Sequence, residues 1–128
     1  MRSSGTYAGV APAASLYFQA MEDDDTNSLY SYGINSMLNS AYNDGARLHT
    51  NSWGSESGHG TYSTQSEDAD DRTSTWDQYW SYDGMTVLFA AGNDRYTGVT
   101  PPATAKNVIT IGGHDNRGSG SPDSMYYS

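Results

Sequence analysis

The stretch Met85–Asn93 reads MTVLFAAGN, an uncharged and mostly apolar run that ends in Gly and Asn. A short apolar run bounded by a turn signal is typical of a strand buried on both faces of a parallel sheet. The same pattern predicts three more buried strands, at residues 15–21 (SLYFQAM), 46–52 (ARLHTNS) and 107–111 (NVITI). We therefore expect a sheet of buried strands as the framework of the fold.

Helical patterns separate these strands. Gly45 stands where a left-handed residue ends a helix, and residues 26–28 (TNS) supply the candidate N-cap of that helix. Its apolar residues recur at helical spacing: Tyr30, Ile34, Met37, Leu38 and Ala41. A second, short amphipathic helix that ends at Gly84 is predicted from Trp76, Tyr79 and Trp80.

The order of these elements predicts an α/β fold. Strands that alternate with helices along a chain form a parallel sheet, and the connecting helices cover its faces. We expect a three-layer arrangement, with a parallel sheet in the middle and helices on both faces, in a single domain of residues 1–128. A stretch rich in Gly, Ser, Thr and Asp, at residues 54–75, is predicted to be a polar loop insertion.

The charge balance limits the partners of this chain. It has 15 acidic and 6 basic residues and a net charge of −9, and such a surface repels nucleic acid and anionic membranes. Two interpretations stay open, an adaptation to high salt and an ordinary acidic extracellular protein. Cysteine is absent, which excludes disulfides and thiolate metal sites. No run reaches the roughly 20 apolar residues of a membrane span, and the N-terminus has no signal-peptide pattern.

The histidines and one aspartate cluster are the candidates for catalysis and metal binding. His59 lies in GHGTY (58–62), where it is either a general base or a loop residue. His49 is expected to pack or hydrogen-bond within a strand, and His114 follows the last strand; their scatter gives no metal-ligand spacing. The candidate Ca²⁺ ligands are Asp68, Asp70 and Asp71. The alternating ligand loop of a Ca²⁺ site is missing, so we expect no cofactor.

Four motifs stand in a fixed order along the chain. GVAP occupies residues 9–12, NSWG residues 51–54, FAAGN residues 89–93 and ATAKNVITIGG residues 103–113. In this order and spacing they resemble the subtilisin-like serine proteases, over about residues 9–115. The resemblance implies a truncated subtilisin-like fold, peptide-bond hydrolysis in the parent enzyme and an extracellular location. It also implies a cis peptide bond between Pro101 and Pro102.

The resemblance further implies that the Asp, His and Ser triad is not in this chain. In the family the aspartate and histidine precede GVAP, and the serine follows the region that matches NVITIGG. The chain thus resembles the middle part of a catalytic domain, and we expect it to be inactive alone. His59 comes after NSWG and is not followed by a second histidine, because position 62 is Tyr. We therefore interpret His59 as a solvated loop residue.

What the resemblance assigns to this chain is the part of the site that holds substrate. Asn93 matches the asparagine whose side-chain amide donates to the oxyanion. One wall of the primary specificity pocket corresponds to Ala90, Ala91 and Gly92, and the opposite wall, with a backbone edge for the peptide, to Ser52, Trp53 and Gly54. The Trp53 side chain is bulky for a pocket wall, and the alternative interpretation is that it packs in the core. Residues 23–27 match a second edge, which is either an acidic groove for basic peptides or, as we favour, a solvated turn.

Three functions remain open at this point. They are part of a serine endopeptidase that acts on peptide or protein substrates, a non-catalytic peptide-binding module, and a self-associating standalone α/β domain. We expect a homo-oligomer, most simply a two-fold dimer, because a truncated sheet uncovers apolar side chains and strand edges. The side chains expected on that surface are Leu16, Phe18, Val87, Phe89, Val108 and Ile109.

Overall fold

A computed structural model describes residues 10–26, 28–29, 33–75, 83–93 and 97–113. Its strands and helices, in chain order, are β1 (Glu22–Asp23), β2 (Ser28–Leu29), α1 (Ile34–Asn43), β3 (Leu48–Asn51), α2 (Thr64–Thr73), β4 (Thr86–Ala90) and β5 (Ile109–Ile111). The last three strands form a parallel sheet in the order β3-β4-β5, and β1 pairs with β2 in a small antiparallel hairpin. The parallel sheet and its helices confirm the α/β class. Three of the four predicted strands are present, but they are not fully buried, because one face of the sheet is exposed.

Strand β4 lies at the centre of the sheet because it is the most apolar of the three. Val87 and Phe89 are each 1% exposed, whereas Thr86 and Ala90 on the other face are exposed. The register pairs His49 with Val87 and Asn51 with Phe89, so these β3 side chains share the buried face of β4. Burying a side chain such as Phe89 contributes about 1.5–3 kcal/mol.

The predicted apolar face of α1 is confirmed for four of its five residues, and the fifth, Tyr30, lies outside the described residues. The buried residues of α1 are Ile34, Met37, Leu38 and Ala41. The helix begins later than its apolar pattern suggested, after the N-cap Gly33, so the prediction of a cap within residues 26–28 is wrong. Asp23 explains the difference, because its Oδ1 accepts from the backbone N–H groups of Asp25 and Thr26 and turns the hairpin there. Gly45 adopts φ +97°, as predicted for the end of this helix.

The stretch predicted as a polar loop insertion, residues 54–75, contains the ten-residue helix α2. Its buried positions are Ser66, Ala69, Asp70 and Thr73, which follow the i, i+3, i+4, i+7 spacing of a helix face. Because Ala69 is the one apolar residue among them, the pattern gives no hydrophobic signal. A capping box between Ser63 and Ser66 fixes the start of α2. The second predicted helix, at Trp76, Tyr79 and Trp80, lies outside the described residues.

Side chains of both helices join one core with the sheet. The buried cluster consists of Ile34, Leu38, Ala41, Ala69, Met85, Val87, Phe89 and Ala103. In the described ranges, α1 and α2 therefore lie against the same sheet face, and a helical layer on the other face stays a prediction. That other face carries Leu48, Ile109 and Ile111, which are 61%, 48% and 50% exposed.

The expected uncovered surface needs one correction. Leu16, Phe18 and Ile109 are exposed as predicted, and Val108 is half-buried against the core. Val87 and Phe89 were predicted to be uncovered, but they face the helices and are buried. The surface available to a partner therefore lies on the opposite sheet face and on residues 10–21.

Residues 15–21 do not form the predicted buried strand. Leu16 is 77% and Phe18 89% exposed, because no described strand pairs with this segment and no sheet face lies against its side chains. Gln19 holds the segment to the fold. Its Nε2 donates to Met37 O at 3.1 Å, and its Oε1 accepts from His49 Nε2 at 2.9 Å.

Two further expectations concern the backbone and the membrane. The Pro101–Pro102 peptide bond is cis, as the resemblance implied. Within the described ranges, no helix has the length and apolar character needed to cross a bilayer.

Candidate functional site

The carboxyl ends of β3 and β4 bring the two predicted walls together. Asn51 pairs in register with Phe89, so residues 52–54 and residues 90–93 leave two neighbouring parallel strands at the same edge of the sheet. This edge is where open α/β sheets bind their ligands. The structure therefore brings the seven predicted site residues into one region.

The wall at Ala90–Gly92 is fixed to the third strand. Ala91 N donates to Ile111 O at 2.9 Å, which extends the β4–β5 pairing by one residue. Gly92 then adopts φ +104°, a conformation that favours glycine. Strand β4 ends before this turn, at Ala90, and Asn93 directly after Gly92 is exposed. Its side chain is thus accessible to a ligand at the sheet edge.

The opposite wall is supported from behind by the Pro101 loop. Ser55 N donates to Pro101 O at 2.8 Å. A Cβ atom at Gly54 would lie 3.2 Å from Thr100 Oγ1 and 3.3 Å from Pro101 O, so the two segments approach as closely as glycine allows. This contact sets the position of the end of the wall.

Trp53 places its side chain against the core rather than free in solvent. It is half-buried, and its ring meets Phe89 edge to face with centroids 5.5 Å apart. Its Nε1 donates to Asn51 Oδ1 at 3.2 Å, and Asn51 Nδ2 donates to Leu88 O at 3.0 Å. The Trp53 side chain therefore packs against the core, as its alternative interpretation has it, and the wall role of residues 52–54 stays a prediction.

The two described histidines are not arranged for general-base catalysis. His59 is exposed, and its Nδ1 donates to Gly98 O at 3.1 Å, which confirms its interpretation as a loop residue. His49 is half-buried and binds Gln19, as predicted for a histidine within a strand. Burial lowers the pKa of His49, and the neighbouring Asn51 amide opposes this in part. Its Nδ1 is buried without a hydrogen-bond partner among the described atoms. His114 lies outside the described residues.

Asp70 has a structural role. Its Oδ1 accepts from Asn107 N at 2.7 Å, and its Oδ2 accepts from Lys106 N and from Tyr62 Oη, each at 3.0 Å. Partial burial, together with this carboxylate, raises the pKa of Tyr62. Asp68 accepts from Asn35 Nδ2 at 2.8 Å. Across the described ranges no group of three or more His, Cys, Asp or Glu is placed to hold a metal. Binding of Ca²⁺ by Asp68, Asp70 and Asp71 stays an untested alternative.

The second candidate substrate edge is a turn. Asp25 N lies 2.9 Å and Thr26 N 3.3 Å from Asp23 Oδ1, in the loop between β1 and β2. Asp24 and Asp25 in the same loop are exposed, as is Glu22 in β1. The interpretation as a solvated turn is therefore supported for residues 23–26, while Asn27 lies outside the described residues.

Two cavities are formed by described residues, and neither is lined by Asn93. One, of ≈310 Å³, is lined by Tyr17, Phe18, Gln19, Ala20, Met21, Ser36, Met37 and Ser40. The other, of ≈330 Å³, is lined by Ser55, Ser57, Gly58, Thr61, Ser63, Thr64, Gln65 and Pro101. The second adjoins the wall at residues 52–54 through Ser55. The described part of the predicted site is thus an open edge beside a hydroxyl-rich pocket.

Sequence reasoning missed Asn51 and Gln19 as organising residues. Asn51 is 4% exposed, and its polar side chain stands where the strand pattern predicts an inward-facing residue. A polar residue at such a position is itself a signal, because a buried amide requires partners. Gln19 gives no comparable signal, since its two bonds join segments that are distant in sequence.

Comparison with known proteins agrees with the motifs. The profile of the Subtilase family matches residues 2–127. The chain is 33% identical over 127 residues to the "Serine protease/ABC transporter B family protein tagD" of Dictyostelium discoideum. The aligned region covers 96% of this chain and 7% of that protein. It is 32% identical over 108 residues to the related protein tagB of the same organism, covering 84% of this chain and 6% of tagB. The chain spans only a small part of the length of these curated relatives. With its order of motifs and its parallel α/β sheet, the chain belongs to the subtilase family.

Proposed function

We propose that this chain is the central part of the catalytic domain of a subtilisin-like serine endopeptidase. The observation that carries the proposal is the meeting of residues 52–54 and 90–93 at the carboxyl edge of neighbouring parallel strands. Family membership and the names of the two relatives support the reaction class. In the complete domain, further helices would cover the exposed sheet face and give the three-layer arrangement.

The proposed chemistry assigns the chain two tasks. An extended peptide lies along the backbone of residues 52–54, and its side chain enters the space beside Ala90–Gly92, where small residues leave room. The Asn93 side-chain amide then donates a hydrogen bond to the oxygen that becomes negatively charged when the scissile carbonyl is attacked. Removing one such donor typically lowers the rate by about 10²–10³. The exposure of Asn93 after the Gly92 turn is compatible with this task.

Hydrolysis also needs a nucleophile and a base. A serine must be activated by a neighbouring histidine. Neither described histidine stands in such a pair: His59 is bound to Gly98 O and His49 to Gln19. We therefore propose that the triad is contributed by residues outside this chain in the parent enzyme, and that the 128 residues alone do not cleave peptides.

A pair of assays tests this proposal. The isolated chain and the longer catalytic domain that contains it are incubated with casein and with a fluorophosphonate probe that labels activated serines. We expect hydrolysis and labelling by the longer domain only. Labelling of a serine in the isolated chain, abolished when that serine is mutated, would overturn the assignment of tasks. Peptide binding without hydrolysis by the longer domain would favour the non-catalytic peptide-binding module.

We also propose that the isolated chain self-associates as a two-fold dimer. The exposed sheet face supports this, because Leu48, Ile109 and Ile111 are about half exposed or more and no charged side chain of the three strands separates them. Exposed apolar patches and strand edges on a soluble protein are typical association sites.

A further inference from the structure

A buried amide lies at the base of the wall formed by residues 52–54. Asn51 is the last residue of β3 and is 4% exposed. It pairs in register with Phe89, so its side chain lies on the helix-covered face of the sheet. A buried amide is costly unless its donor and acceptor are both used. Both the amide nitrogen and the amide oxygen of Asn51 are hydrogen-bonded here, and their partners lie in different segments.

The first bond ties the end of β3 to the central strand. Asn51 Nδ2 donates to the backbone carbonyl of Leu88 at 3.0 Å, across the strand boundary. The second bond leads into the wall. Asn51 Oδ1 accepts from Trp53 Nε1 at 3.2 Å, two residues further along the chain. One side chain therefore connects the central strand to the middle residue of the wall.

Trp53 is held by a second contact that completes the constraint. Its indole packs edge to face on Phe89 at 5.5 Å between centroids, and Phe89 is 1% exposed and fixed in the core. Packing alone lets the indole rotate or slide on its neighbour, whereas the Nε1–Oδ1 bond selects one orientation. Beyond Trp53, the wall ends at the bond from Ser55 N to Pro101 O. The wall is thus fixed at both of its ends.

We infer that Asn51 is a positioning residue, which acts through Trp53 to set the path of the backbone at residues 52–54 relative to Asn93. Asn51 touches no substrate, and its role is to keep the peptide-binding edge extended beside Ala90–Gly92. The inference rests on the proposed function for what the wall binds. The geometric part, that Asn51 fixes Trp53, stands without that function.

The indole N–H of Trp53 gives a direct readout. In ¹⁵N-labelled protein, its cross-peak is assigned by its loss in Trp53→Phe, and its hydrogen exchange is compared between wild type and Asn51→Leu. Leu has the same number and branching of side-chain heavy atoms as Asn, with a larger volume and no polar atoms, so we expect exchange about tenfold faster, the factor that corresponds to one neutral hydrogen bond. Backbone amides of residues 52–54 should shift, while those of the core at Leu38 should not. Asn39→Leu, on the exposed side of α1, is the matched control and should change none of these signals.

Two conservative variants keep the test decisive. Asn51→Asp retains an oxygen for Trp53 and loses the donor to Leu88, so indole protection should return toward the wild-type rate. Trp53→Phe keeps a ring on Phe89 but removes the indole N–H, so the backbone amide signals of Ser52 and Gly54 should shift. This variant provides the test if Asn51→Leu does not fold. Wild-type indole protection in Asn51→Leu, or unmoved Ser52 and Gly54 amides in Trp53→Phe, would overturn the inference.

A peptide titration separates this inference from the proposed function. Acetyl-tetra-alanine amide is added to the labelled wild-type chain, and shifts are expected at residues 52–54 and 90–93. In Asn51→Leu, the same shifts should require about tenfold more peptide. Absence of any shift in the wild type would count against peptide binding at this edge, while the indole exchange rates would still decide the role of Asn51. Equal affinity in wild type and Asn51→Leu would reject the positioning role.

Discussion

Replacing Asp70 by Ala is expected to be among the most destabilising single changes in α2. The carboxylate is 7% exposed and accepts from two backbone N–H groups, at Lys106 and Asn107, and from the Tyr62 hydroxyl. These bonds connect α2 to the loop that leads into β5. Ala at position 70 leaves both backbone donors without their partner.

The size of the effect follows from those donors. A buried donor left unsatisfied costs about 1–3 kcal/mol. Both bonds are only partly buried, so water reaches the loop and each loss falls in the lower half of that range. The Tyr62 hydroxyl is accessible to water and adds little, because Tyr62 is 43% exposed. We expect a loss of about 2–4 kcal/mol for Asp70→Ala and about half of that for Asp70→Asn, which keeps one acceptor oxygen.

Urea unfolding followed by circular dichroism measures this loss. The midpoint should fall while the slope of the free energy with urea concentration stays unchanged. Asp71→Ala is the matched control, because Asp71 is exposed in the same helix and undergoes the same change in helix propensity. A surface change of this kind is expected within about 0.5 kcal/mol of wild type. A difference between the two variants below about 0.5 kcal/mol would refute the role assigned to Asp70.

Three further predictions follow from the fold. Burial lowers the pKa of His49, so below about pH 6.5 the unfolded chain binds more protons than the folded chain. The free energy of unfolding should therefore fall as the pH drops through that value. Urea midpoints measured between about pH 8 and about pH 5 should show this fall in wild type and not in His49→Gln. Gly54→Ala should lower the free energy of unfolding in urea by about 1–2 kcal/mol, because the new Cβ meets Pro101 O at 3.3 Å. The control is Gly112→Ala, which has open space around it and should leave this free energy unchanged. Equal losses in the two variants would contradict the close approach at Gly54. Sedimentation at about 100 μM should show a dimer whose stability increases with salt, because salt screens the net charge of −9. Ile111→Glu should abolish the dimer. A monomer at both low and high salt would reject self-association.

The sequence predicts correctly those elements whose buried face consists of apolar residues. Strand β4 and the face of α1 are apolar, so Phe89 and Leu38 point to the core without knowledge of their partners. Segment 15–21 is also mostly apolar, yet Leu16 and Phe18 are exposed, because burial requires a facing element as well as a pattern. The pattern alone does not report whether that element is present.

Helix α2 shows the opposite difficulty. Its buried face is polar, and its bonds are long-range: Ser66 Oγ lies 2.8 Å from Thr104 Oγ1, and Asp70 reaches Asn107 N. No local rule reveals such partners. The same holds at the site, where the motifs named residues 52–54 and 90–93 but did not show that Asn51 joins Trp53 to β4.

The turnover number of the Asn93→Ala variant tests the proposed oxyanion role of Asn93. It is measured on a peptide substrate in the catalytic domain that contains this chain. We expect a fall in kcat of about 10²–10³ with KM nearly unchanged, because the amide acts on the charged transition state and not on the bound peptide. The control Asn39→Ala, an exposed asparagine of α1, should retain the wild-type kcat. A kcat for Asn93→Ala within about threefold of wild type would contradict the assignment of Asn93 to the oxyanion.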